Sequence, residues 1–347
     1  MLNENEAVVR ASWRKIQGEL GRCVLGQDEL LEQLWILILT RGHGVVVGLP
    51  GVAKFLAASS LARVAGLVFH RIRCTPDLSP EDLVIGCDGR EGTGHDDASC
   101  GLLSANVLLV DDMDRLSPKT SSTVHHAIQD REVVLRGQRL ALPNPFVVLA
   151  TRYPLDETAE TPYEPRNDRF MFEVRVRYPD YGSEYRMIET SALVEERPVQ
   201  QLFSPAELLA LQLQIPKIEL PPYVIHYAVR LIRSTRVHEG ENPDFVYEWV
   251  VQGAGPRALR HLMIAAQARA AMRGASSAAI CDVRSVALPV LRHRIITNRN
   301  ARSNGITPDR VVNRLLEDIP ERLAGDDQPV ADGEVADPQQ WFPDGLL

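Results

Sequence analysis

The stretch Gly48-Leu49-Pro50-Gly51-Val52-Ala53-Lys54-Phe55 constrains this chain more than any other. Ahead of it the β-branched run Val45-Val46-Val47 reads as a buried strand, and behind it Leu56 to Ala65 reads as a helix. Strand, glycine loop, lysine and helix is the order that a phosphate cradle needs. Glycines let backbone N–H groups turn inward, the helix N-terminus adds its positive end, and the lysine reaches the outer phosphates. Gly48 and Lys54 keep the G-x-x-x-x-G-K-[ST] spacing, but Ala53 replaces the glycine before the lysine and Phe55 replaces the hydroxyl residue after it. Taken alone, a tight Gly-Pro-Gly turn between strand and helix remains an alternative.

Downstream, Val107 to Val110 is an apolar strand that ends in Asp111-Asp112. A carboxylate at the end of a strand beside the glycine loop holds the Mg²⁺ shell of a nucleotide site, and the next acid polarises the attacking water. Further strands are expected at Val68–Ile72 and Pro145–Ala150, with a hairpin around Arg136-Gly137-Gln138. Helices are expected over residues 5–21, from Gly26-Gln27 to Thr40, and from Ser117-Pro118 to Asp130. Strands alternating with helices predict an α/β fold with a mostly parallel sheet. Residues 86–101, rich in Gly, Asp and Ser, read as an exposed loop. Beyond Pro179 only helices are expected: one opened by the capping box Ser204-Pro205-Ala206-Glu207, others over 222–236, from Pro256, from Asp282 and from Thr307-Pro308. The expected organisation is an α/β core over 1–190, a helical domain over 191–322, and a disordered tail over 323–347, which carries acids and prolines but no Lys or Arg.

At 347 residues the chain is long enough for two domains. A net charge of −8 weighs against a protein whose main task is gripping a nucleic-acid backbone. The five cysteines form no C-x-x-C pair, which points to a reducing cytosol and gives neither a zinc site nor a disulfide framework. The longest apolar run, Leu34 to Leu39, is too short to span a membrane. Arg230, Arg233 and Arg236 recur along one helix, and a solvated face or a subunit contact accounts for them better than a nucleic-acid surface does.

Ten stretches, in order over roughly residues 25–320, make the chain resemble the MoxR family of AAA+ ATPases, relatives of the magnesium-chelatase ATPase subunit. They are Gly26-Gln27, Gly42-His43, the Gly48–Lys54 loop, Thr75-Pro76-Asp77-Leu78, Ala105–Asp111, Pro118-Lys119-Thr120, Pro145–Thr151, Asp168-Arg169-Phe170, Gly255-Pro256-Arg257-Ala258 and Leu288–Arg294. The resemblance implies an AAA+ core with an all-α lid, assembled into a ring, usually a hexamer, with ATP or ADP between subunits. It implies that Lys54 contacts phosphates, that Asp111 belongs to the Mg²⁺ shell, that Arg169 is an arginine finger completing a neighbour's site, and that Arg257 is the second sensor. It also suggests a protein partner with a von Willebrand factor A-type domain.

The departures fall on hydrolysis. The family expects Thr or Ser at Phe55, Glu at Asp112, Asn at Asp114, and Asn at Tyr153, the first-sensor position. With phosphate-binding residues kept, these changes predict weakened or lost turnover and weakened Mg²⁺ binding. Three functions follow: an ATP-hydrolysing factor that remodels or matures a partner, a nucleotide-stabilised scaffold that does not turn over, and, disfavoured by the charge, a DNA-handling protein.

Overall fold

The structure, a computed structural model, describes residues 4–85, 101–135, 137–154, 165–191, 199–237, 242–323 and 326–327. The chain divides into two compact units, one of Arg14–Pro154 with Arg169–Leu208, the other of Met1–Trp13, Leu155–Asp168 and Leu209–Leu347. Helix α1 (Glu4–Leu20) carries the chain out of the second of these and into the first.

The first unit continues through α2 (Asp28–Thr40), β1 (Gly44–Gly48), α3 (Lys54–Val64), β2 (Phe69–Arg73), α4 (Pro80–Ile85), β3 (Val107–Asp111), α5 (Pro118–Asp130), β4 (Glu132–Leu135), β5 (Gln138–Ala141), β6 (Val147–Arg152), β7 (Phe172–Val176), α6 (Tyr181–Ser191) and the start of α7 (Pro205–Gln212). Its sheet is parallel in the order β2-β3-β6-β1-β7. The central strands read as unbroken apolar runs because both faces are covered: Val107 to Val110 and Val147 to Thr151 are all buried. On one face, Leu108, Val110, Val148 and Ala150 pack with Leu83 of α4 and with Val124, Ala127 and Ile128 of α5. Helices α2 and α3 pack on each other, with α2 reaching β7 and α3 reaching β2 and β3. Each fully buried Val or Leu contributes about 1.5–3 kcal/mol.

Local chemistry sets the element ends. Ser117 caps α5, accepting from the Thr120 N–H at 3.3 Å with Pro118 behind it. The capping box expected at Ser204 forms, the Glu207 carboxylate accepting the Ser204 N–H at 2.7 Å. β4 and β5 make the expected hairpin, Leu135 opposite Gln138.

Two sequence expectations need correction. β3 does not lie beside β1, because β6 runs between them. β7 was not anticipated, although Phe172, Val174 and Val176 alternate with half-buried Glu173 and Arg175, the period-2 signal of a strand.

His43, between α2 and β1, is a built-in acid sensitivity. Its Nδ1 accepts the Val148 N–H at 3.0 Å, which only an unprotonated Nδ1 can do. Burial, and then the charge of Arg131, pull its pKa from 6.5 down to about 3. The unfolded chain therefore takes up a proton that the folded chain refuses. This contribution to stability is complete above the unfolded value of 6.5 and is lost as pH falls from there toward 3, at up to about 1.4 kcal/mol per pH unit. Urea unfolding between pH 7 and 4 is expected to show a shallower pH slope in His43→Asn, whose amide oxygen can accept the same N–H. Equal slopes would refute the assignment.

The second unit holds α8 (Pro222–Arg233), α9 (Asp244–Trp249), β8 (Val250–Gln252), α10 (Pro256–Arg273), α11 (Ile280–Leu291), β9 (Ile296–Thr297), α12 (Arg299–Ser303) and α13 (Pro308–Asp318). It is not purely helical as expected, since β8 and β9 pair antiparallel. α10 packs on α8 and α11, and α11 on α13. α8 ends at Arg233, short of the expected 236, and the basic row is largely committed: Arg236, beyond the helix, donates from Nε to the Ala254 carbonyl at 2.9 Å, and Arg230 pairs with Asp326 at 2.8 and 2.9 Å. The expected loop over 86–101 lies outside the described residues apart from Gly101. So does the expected tail, apart from Leu323, Asp326 and Asp327. Within that stretch Asp326 is buried, and Arg230, with the Leu323 N–H, holds its carboxyl down at about 2.

Candidate phosphate-binding site

The glycine loop leaves the C-terminal end of β1 and enters α3 at Lys54, in the first unit. The first amides of a helix have no preceding turn to bond. The first amide bonded back across the start of α3 is that of Ala57, to the Ala53 carbonyl at 2.9 Å. Gly51 sits at φ +84, where an L side chain is strained. Gly48 is held for a different reason: a Cβ there would meet the Val176 carbonyl oxygen at 3.0 Å. Ala53, at the position of the missing glycine, adopts φ +61, a left-handed conformation that costs a non-glycine residue about 1–2 kcal/mol. Ala53 thus takes the left-handed conformation that a glycine adopts more readily.

Lys54 folds back over this loop. Its Nζ donates to the carbonyls of Gly48 and, at 3.0 Å, of Leu49. Burial lowers its pKa, opposed by the charges of Asp111 and Asp112.

Asp111 ends β3 and is the most engaged group in the cluster. The Thr151 hydroxyl donates to its Oδ1 at 2.6 Å, while Arg71 donates to its Oδ2 from Nε at 3.0 Å and also from Nη2. Burial pushes the Asp111 carboxyl up, but Thr151, Arg71 and Lys54 outweigh it and hold it below the ordinary carboxylate value. Thr151 also accepts the Asp112 N–H at 2.9 Å, so one buried hydroxyl ties both acids to β6. Asp112 itself is exposed and left-handed at φ +60, and Asp114 pairs with Arg152 at 3.0 Å. Tyr153, just beyond β6, is exposed.

The position of Phe55 carries an aromatic stack. Its exposed ring meets Phe69 edge-on at 5.8 Å, and the Arg71 guanidinium lies 4.9 Å from its centre. These residues do not fit Mg²⁺: the hydroxyl ligand is absent, Oδ2 of Asp111 takes both donors of Arg71, and that guanidinium sets a fixed positive charge beside the lone pair left on Oδ1.

Residues 43–172 match the family described as ATPase family associated with various cellular activities (AAA), and residues 250–315 match the AAA lid domain. The chaperone MoxR1 of Mycobacterium tuberculosis is 35% identical over 302 residues, 87% of this chain and 80% of that protein. The chain belongs to the MoxR family of AAA+ ATPases. The protein MoxR of Methylorubrum extorquens is 27% identical, over 89% of this chain and 96% of that one. A solved structure of a candidate ATPase from Cytophaga hutchinsonii superimposes with a TM-score of 0.82 at 29% identity, covering 91% of this chain and 97% of that one. The α/β core with a parallel five-stranded sheet is the AAA+ fold, and membership implies nucleotide and usually Mg²⁺.

Against the MoxR pattern, Lys54, Asp111, Asp112 and the loop from Gly48 to Phe55 lie in one unit. Arg169, where the chain re-enters the same unit, precedes buried Phe170 and makes no ion pair among the described residues. Arg257, in the other unit, opens α10 and pairs with Asp168 at 2.5 Å. Asp168 is also held by buried Arg294, whose Nε donates to Oδ1 at 2.8 Å and whose Nη2 donates to the Asp168 carbonyl at 2.9 Å. Thr151, Arg71 and Arg294 were missed by sequence reasoning as site residues. Thr151 and Arg294 end matching stretches and Arg71 lies in the expected strand Val68–Ile72, but the partners of all three are remote in sequence.

Proposed function

We propose that this MoxR-family protein binds ATP or ADP through the Gly48–Phe55 loop, with Lys54 on the phosphates, and works as a chaperone-like factor that remodels or matures a partner protein with slow hydrolysis. The observation that carries the reading is the juxtaposition of Lys54 and the Asp111–Thr151–Asp112 cluster at the C-terminal ends of β1, β3 and β6. Strand ends of this kind are where open α/β sheets bind ligands. Weak turnover is supported by Phe55 where a hydroxyl belongs, by the shorter carboxylate of Asp112, and by a phenol at Tyr153 where an amide would orient water. Charge-assisted hydrogen bonds from Lys54 are worth about 1.5–3 kcal/mol, so Lys54→Ala is expected to weaken nucleotide binding in calorimetry about tenfold or more. Unchanged affinity would refute the site.

The MoxR-type reading further assigns Arg169 to a neighbouring subunit's nucleotide, Arg257 to sensing its outer phosphate, and the assembly to a hexameric ring. Light scattering is expected to show a larger species with nucleotide, reduced in Arg169→Ala. A monomer in every nucleotide state would overturn it. A cytoplasmic location is consistent with the thiol content, and no helix among the described residues is long and apolar enough to cross a membrane. A von Willebrand factor A-type partner is proposed from family kinship alone, and co-purification would test it. The non-hydrolysing scaffold is the second reading, favoured by the engagement of Asp111 with Arg71.

A further inference from the structure

In P-loop nucleotide sites a divalent cation stands between the hydroxyl residue that follows the lysine and the carboxylate at the end of the second strand motif. In this chain the first of those groups is missing and the second is crowded. Phe55 has no oxygen to offer. Asp111 gives Oδ1 to Thr151 and Oδ2 to Arg71. What lies between the Phe55 ring and the Asp111 carboxylate is itself a cation, the Arg71 guanidinium.

We propose that this guanidinium takes the place of the divalent cation, so that the site accepts a nucleoside di- or triphosphate without Mg²⁺. The proposal rests on the nucleotide-binding reading above.

The stack has the features such a role needs. β2 places Phe69 and Arg71 on one face, two residues apart, and both meet the Phe55 ring. Phe69 supports the ring edge-on, and the ring carries the guanidinium by a cation–π contact. The fork of Arg71 is satisfied by Asp111 through Nε and Nη2, while Nη1 makes no hydrogen bond among the described residues and the side chain is 30% exposed. A planar guanidinium with donors to spare is suited to phosphate oxygens. A divalent cation, in contrast, would have to share Oδ1 of Asp111 with the Thr151 hydroxyl and sit beside a fixed positive charge. The same exchange accounts for slow turnover. A guanidinium fixed to the sheet can neutralise phosphate charge in the bound state, but it does not bridge the β- and γ-oxygens as the metal does in the transferring site.

The test is calorimetric titration of ADP and ATP into the full chain, once with EDTA and once with Mg²⁺, together with electron paramagnetic resonance of Mn²⁺ in the presence of nucleotide. Wild-type affinity is expected to agree in the two buffers within about twofold, with no stoichiometric Mn²⁺. Arg71→Ala, checked for folding by circular dichroism, is expected to lose about tenfold or more in EDTA, and Arg71→Lys, which keeps the charge without the fork, less. The double variant Phe55→Thr with Arg71→Ala is expected to become Mg²⁺-dependent and to bind Mn²⁺. Two outcomes overturn the proposal and leave the nucleotide site standing: tightening of wild-type binding about tenfold or more by Mg²⁺ with bound Mn²⁺, or unchanged metal-free affinity in Arg71→Ala. Absence of nucleotide binding by the folded wild type in both buffers overturns the nucleotide reading, and this proposal with it.

Discussion

Phe55→Thr, Asp112→Glu and Tyr153→Asn introduced together are expected to raise ATP turnover about tenfold or more, a barrier change of only about 1.4 kcal/mol. Each replacement returns one group to a reaction in which the groups act as a unit, so the single variants should give little and the triple variant more than their sum. Phe55→Thr restores a hydroxyl and also removes the ring under Arg71. Asp112→Glu adds the methylene that carries the carboxylate toward the attacking water, where a displacement of about 1 Å is worth about a hundredfold. Tyr153→Asn supplies the amide expected at the first sensor. Arg71 competes with a metal for Asp111, so the same set with Arg71→Ala is expected to go further than the triple variant alone. Steady-state phosphate release with Mg²⁺ checks this. A wild type that hydrolyses briskly, and on which Phe55→Thr has no effect, would show that the substitutions do not limit the reaction.

Asp282→Ala is expected to destabilise the helical unit by about 1–3 kcal/mol, the cost of leaving its donors without their shared buried acceptor. Asp282 is fully buried. Its Oδ1 accepts from Arg269 at 2.9 Å and from Arg273 at 2.8 Å, and its Oδ2 accepts from Arg273 at 2.5 Å and from the Ala279 N–H at 3.0 Å. One carboxylate therefore caps α11 and holds two arginines of α10. Its loss leaves half-exposed Arg269 and Arg273 without their shared acceptor and frees a helix-terminal N–H. Urea unfolding followed by circular dichroism reads the effect. A loss below about 1 kcal/mol would mean that water replaces the carboxylate without cost.

The sequence by itself determined what depends on local periodicity and on spacing along the chain. The apolar runs at Val107 and Val147, the loop Gly48–Lys54 and the Ser117 and Ser204 caps marked the elements correctly, because strand burial and helix capping act between residues only a few positions apart. The ten ordered stretches pointed to the family that the comparisons show. Only the tertiary structure decided the strand order, which places β6 between β1 and β3 and so makes Thr151 the link between Asp111 and Asp112. It also decided that Arg71 meets Asp111 across parallel register from β2, and that the exposed ring of Phe55 lies against Arg71. Asp282 showed in the sequence only as a helix start; its two arginines come from the packing of α10 on α11. These pairings join residues that are remote in sequence. Sheet register and helix packing bring them together, and those are set by burial over whole elements rather than by any residue's neighbours.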